Sequence, residues 1–208
     1  MRKDTIIGGA DGPTSVFLIQ KNSKLTLRQK FEKLKYKIKR AYVEKTIKAN
    51  SHSLDEVTDY IESVLGFVEI KDEQEYNEMR ASFIMQYEPE LLGEYSKMPQ
   101  LKSESIEDIK EHIKQIEVRK QKAMEIPITE FDIDFHKFQI SSKDVNDNIY
   151  IVIEKRFSYI GGGVSGNKKN IRRFQRIFKE IYRYYGVTRE DIEKKSKRYE
   201  ELVRAMIR

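Results

Sequence analysis

Apolar residues recur every third or fourth position through most of this chain and every second position in only two stretches, and that change of period limits the folds open to it. Leu27, Phe31, Leu34, Ile38 and Tyr42 make one stripe of a helix spanning residues 25–49. Comparable spacing predicts helices over 53–65, 72–87, 105–124 and 168–185, and a last helix beginning at Thr188. Strict alternation appears where Phe131, Ile133 and Phe135 face away from Asp132, Asp134 and His136, and a run rich in Ile, Val, Tyr and Phe follows at Ile149–Ile160. The two read as the strands of a hairpin over 128–160, turned near 144–148. An α+β fold follows, mainly helical, with about six helices and a small antiparallel sheet.

Punctuation supports these bounds. Ser53 with Glu56, Ser105 with Asp108 and Thr188 with Asp191 have capping spacing, while Gly66, Pro89, Pro127 and Gly186 mark stops. The chain reads as a single domain over 1–208, with an internal boundary available in the polar stretch 95–104 around Pro99.

The most distinctive segment is Ile6-Ile7-Gly8-Gly9-Ala10-Asp11-Gly12-Pro13-Thr14-Ser15-Val16-Phe17-Leu18. Gly8, Gly9 and Gly12 accept positive φ, Pro13 fixes its own, and Asp11 bonds turn amides, so a tight hairpin joining the same sheet is expected. The segment also resembles the GGADGPT motif of the β subunit of sodium-ion-translocating decarboxylases, the oxaloacetate and glutaconyl-CoA decarboxylase group. The resemblance implies a role for Asp11 like that of the family's aspartate on its sodium and proton pathway, and it stops at Leu18. In that family the motif sits in a multi-span membrane protein. Here the longest apolar runs are the size of Val16–Ile19, far short of the roughly 20 residues a membrane-spanning helix needs. The chain is therefore not expected to act as the pump, and Gly8, Gly9, Asp11, Gly12, Pro13 and Thr14 are read as a turn or a docking element.

Charge is abundant and segregated. Residues 24–48 hold ten Lys/Arg against two acids, 51–100 hold twelve acids against three Lys/Arg, and 161–208 hold fourteen Lys/Arg against six acids. Two basic ends flank an acidic middle, and the ends are free for an external polyanion only if that middle does not neutralise them. On the first helix Lys30, Lys33, Lys37 and Arg40 repeat with helical spacing, flanked by Arg28, Lys35 and Lys39, a pattern suited to anionic phosphate or an anionic membrane. On the helix over 168–185, Ile171, Phe174, Phe178, Ile181 and Tyr185 form the inward stripe. Arg172, Arg176, Lys179 and Arg183 form an outward row, with Tyr182 and Tyr184 as stacking surfaces. The absence of cysteine removes disulfide and thiolate chemistry and suits a reducing cytoplasm. Gly8, Gly9, Asp11 and Pro13 interrupt any secretory leader.

Three further constellations invite chemistry. Asp132, Asp134 and His136 share a strand face and are weak metal candidates, because strand positions two apart lie about 6.6 Å apart along the axis. Asp134, Glu154, Lys155 and Arg156 resemble a nuclease-like arrangement without the lysine that proton transfer would use. Gly161–Gly166, followed by Lys168 and Lys169, joins a strand to a helix as phosphate-binding loops do, but fits no phosphate-loop spacing. No catalytic set of Ser, His and Asp is assembled, so no catalytic residue and no cofactor are assigned. Two functional classes remain: an accessory protein that binds a protein partner, favoured by the turn motif, and a nucleic-acid binder using the basic helices 25–49 and 168–185.

Overall fold

The computed structural model describes residues 26–101, 103, 105–141 and 148–207. The turn motif at 6–18, its sheet pairing and most of the 144–148 turn lie outside them. In chain order the elements are α1 (Leu27–Thr46), β1 (Asn50–Ser51), α2 (Leu54–Ser63), β2 (Val68–Ile70), α3 (Glu73–Tyr87), a 3₁₀ segment (Pro89–Tyr95), α4 (Ile106–Glu125), β3 (Phe135–Ser141), β4 (Asn148–Glu154), β5 (Tyr159–Ser165), α5 (Lys168–Tyr185), β6 (Gly186–Val187), α6 (Arg189–Lys194) and α7 (Lys197–Ile207). The fold is α+β, mainly helical, with two small antiparallel sheets. One has the order β2-β3-β4-β5 and the other pairs β1 with β6.

Local chemistry sets the helix starts. Thr26 with Gln29, Ser53 with Glu56 and Thr188 with Asp191 form reciprocal capping boxes, and the side chains of Ser105 and Asn167 cap α4 and α5. Each satisfies backbone amides that the first helical turn leaves unpaired.

The described chain divides into two compact units. One holds the described residues of Ile70–Lys137 and Glu154–Gly161; the other holds those of 26–69, 138–153 and 162–207. In the first, α3 packs on α4, and Phe83, Ile84, Met85, Leu92, Ala123, Phe131 and Ile133 form the buried cluster. Phe157 stacks on Phe83, Tyr87 and Phe131 there. Buried Arg119 donates to the carbonyls of Met85, Tyr95 and Ser96, tying the 3₁₀ segment to α4, and burial draws its pKa down. The described residues of 95–104 belong to this unit. In the second unit α5 packs on α2 and α7, and α1 packs on α7; Val57, Ile61, Phe178, Ile181, Tyr185, Leu202 and Val203 are buried.

The structure differs from the sequence reading, or adds to it, at five places. The expected strand 149–160 is two strands, because the chain reverses at residues 155–158, where Ser158 takes φ 54°. Glu154, fully buried, organises that reversal by accepting from the backbone amides of Asp134, Arg156 and Phe157. The glycine run is a strand rather than a connector between strand and helix: Gly161, Gly162 and Gly163 are buried within β5, where an added Cβ would meet the rings of Tyr159 and Tyr150 or the Tyr150 carbonyl. The final helix is broken into α6 and α7 at Lys195, φ 48°. On α4, Ile106 and Ile113 are exposed while Arg119 and Ala123 are buried. On α1 the apolar stripe faces outward, and no residue of that helix is buried.

Candidate functional site

Pairing of β1 with β6 places the chain before α2 against the end of α5, in the register Asn50 with Val187 and Ser51 with Gly186. Gly186 makes the join possible: it caps α5 with φ 58°, and a Cβ there would overlap the Asn50 carbonyl. Arg198 of α7 locks it, donating to the carbonyls of His52, Tyr185 and Gly186 while lying over the Tyr185 ring at 3.6 Å.

The consequence is a stack of three rings. His52 lies 4.0 Å from Tyr184, and Tyr60 of α2 lies 4.1 Å from its other side, both nearly parallel to it. His52 Nδ1 is 2.6 Å from the Tyr184 carbonyl. The Tyr60 hydroxyl donates to Glu180 Oε1 at 2.7 Å; burial first, and then Glu180, pushes it up to about 12, so it stays protonated at neutral pH. Beside this stack opens a cleft of about 630 Å³ lined by Asn50, Tyr60, Arg176, Lys179, Glu180, Arg183 and Tyr184.

Arg172, Arg176 and Arg183 are exposed and Lys179 half-buried. They follow one another at steps of four, three and four residues, a row about 17 Å long at 1.5 Å per residue. Among the described residues none of the four is in an ion pair. The one acid lining the cleft, Glu180, is engaged by Tyr60. Three acids of the middle pair elsewhere: Glu78 with Lys120, and Asp72 and Glu75 with Lys137.

Comparison with protein-family models, curated proteins and solved structures finds no match. The cleft is therefore read from its own chemistry. It offers cations, an amide side chain and a protonated phenol, a set that binds anions and lacks a free base or nucleophile.

The other sequence-derived residues fare differently. Tyr182 is buried and both faces of Tyr184 are covered, so neither is a platform for a nucleobase. Lys168 and Lys169 begin α5, but the Asn167 side chain already takes the amides of Lys169 and Asn170. Arg40 is not an outward cation. It bonds Glu44 at 2.7 Å and Glu200 of α7 at 2.6 Å, and these partners raise its pKa further. Lys30, Lys33 and Lys37 are exposed on α1.

The acidic stretch before β3 forms no common strand face. Asp132 accepts from the Tyr76 hydroxyl at 2.6 Å, Asp134 lies 2.9 Å from His136 Nε2, and Glu154 is committed to backbone amides. Among the described residues no group of three His, Asp or Glu side chains is placed to hold a metal ion. Sequence reasoning passed over the Tyr60–Tyr184–His52 stack. Its only sequence trace is an aromatic or imidazole side chain in each of three segments that the β1–β6 pairing brings together.

Proposed function

We propose that this protein binds nucleic acid through the outward face of α5, gripping the phosphate backbone rather than reading bases. The carrying observation is the row Arg172, Arg176, Lys179 and Arg183, which has no acidic partner among the described residues and borders an open cleft. The row presents four cations along about 17 Å, enough to contact about four phosphates of a nucleic-acid backbone. Arginine and lysine side chains are long enough to absorb the mismatch between helix and backbone pitch. A protein partner, which the turn motif favours, rests on residues outside those described, whereas this face supports a polyanion.

The test is fluorescence anisotropy with labelled duplex and single-stranded oligonucleotides. Changing Arg172, Arg176, Lys179 and Arg183 together to Gln leaves the melting temperature near that of the parent, because the row is at the surface, and abolishes binding at low salt. Parent protein that ignores both oligonucleotides, or a variant that binds as well as the parent, contradicts the proposal.

A further inference from the structure

We infer that α1 is a surface-lying membrane helix, built to dock on a bilayer carrying anionic lipid. Its five large apolar side chains, Leu27, Phe31, Leu34, Ile38 and Tyr42, are 85%, 67%, 55%, 63% and 70% exposed. At 100° per residue they fall within an arc of about 80° and run about 22 Å along the axis. The helix is held from its other side. Arg40, Val43 and Glu44 are half-buried, lie about 120° or more around the axis from the stripe's centre, and Arg40 reaches Glu200 on α7. Docking on α7 thus aims the stripe away from the helix that holds it.

Charge complementarity selects the occupant. Helix α1 carries eight Lys/Arg against two Glu, and cations border the stripe on both edges: Arg28, Lys35 and Lys39 along one, Lys30 and Lys37 along the other. In a pair of identical helices meeting along this stripe, Arg28, Lys30, Lys35 and Lys37 would flank the seam and face their own kind, which disfavours a second copy. A protein groove would need acids along both rims for the full length of the stripe. An anionic bilayer supplies negative charge on every side, accepts the apolar ridge between its headgroups, and lets the lysine stems extend to the phosphates. Among the described residues no helix is long and apolar enough to cross a membrane, so α1 lies in the interface plane. This site is separate from the α5 row and stands or falls independently of it.

The test is co-flotation of the full chain with phosphatidylcholine vesicles, with and without phosphatidylglycerol. Binding is expected only to the anionic vesicles. Lys30, Lys35 and Lys37 changed together to Gln should weaken it about a hundredfold, at about 1 kcal/mol per cation near the surface. Leu27, Phe31, Leu34 and Ile38 changed together to Ser should remove it, while the α5 quadruple Gln variant should float like the parent. Equal binding to neutral vesicles, or no loss in the triple Gln variant, overturns the inference. So does a dimer in lipid-free light scattering that the Ser variant converts to monomer, since the stripe then belongs to a second copy.

Discussion

Gly186 and Gly66 both have positive φ, at 58° and 70°, yet they sit in different surroundings. Around Gly66 a Cβ would meet nothing within 4 Å; at Gly186 it would overlap the Asn50 carbonyl and break the β1–β6 pairing. Gly66→Ala should therefore lose only the cost of the left-handed backbone, about 1 kcal/mol. Gly186→Ala should lose clearly more and lower the yield of folded protein, as read by urea denaturation; equal losses would mean that the pairing is not what Gly186 protects. At this scale sequence legibility was uneven. Gly186 was legible as a helix stop, since α5 ends where its stripe ends. Glu154 was not: a glutamate in a run of Ile, Val and Tyr carries no mark distinguishing a metal ligand from a buried acceptor of three backbone amides. Arg119 was equally hidden, because an arginine in a charged helix reads as solvated until the carbonyls that receive it are known.

Among the elements, α1 and α5 carry the same signal, an apolar stripe opposed by cations, and the fold treats them oppositely. Periodicity states that a helix has two faces; it does not state whether another element exists to cover the apolar one. The α5 stripe is buried at Phe178, Ile181 and Tyr185, where the helix packs on α2 and α7, and open only at its start at Ile171, whereas α1 offers α7 only the side bearing Arg40, Val43 and Glu44. The β region was legible as strand-forming but not as two strands, because the reversal after Glu154 is made by buried hydrogen bonds rather than by a Gly or Pro signal. Lys137 of β3 ties that strand to the start of α3, bonding Asp72 at 2.8 Å and also Glu75. Burial alone would pull Lys137 down, but the hydrogen bonds to Asp72 and Glu75 outweigh it and hold it above the ordinary lysine value; the Lys137 bond in turn lowers Asp72. An acid with a depressed folded pKa stabilises above its unfolded value and loses that contribution as pH falls through the folded one. A lysine with a raised pKa stabilises below its unfolded value and loses that contribution as pH rises through the folded one. Lys137→Met should therefore cost about 1–3 kcal/mol across the neutral range, and its deficit should shrink below the ordinary Asp value of 3.8 and above the ordinary Lys value of 10.5. Thermal melts against pH decide this, and a deficit that is constant from acid to alkaline pH would assign Lys137 a purely packing role.

For the whole molecule, the segregation of charge was the most legible functional cue and its resolution the least. Counting residues shows two basic ends and an acidic middle; it does not say which charges meet. In the structure Asp72, Glu75 and Glu78 of the middle pair with Lys137 and Lys120, and Glu200 takes Arg40, while the α5 row has no such partner among the described residues. That residual row carries the proposed function, and its signature is counterion release. The most direct measurement is the salt dependence of oligonucleotide affinity for the parent and for Arg176→Gln. Four phosphate contacts give a slope of log K against log salt of about −2.8 for single strands to −3.6 for duplex, and loss of one contact makes it shallower by about 0.7 to 0.9. A parent slope near zero, or one that Arg176→Gln leaves unchanged, would contradict phosphate binding by this face.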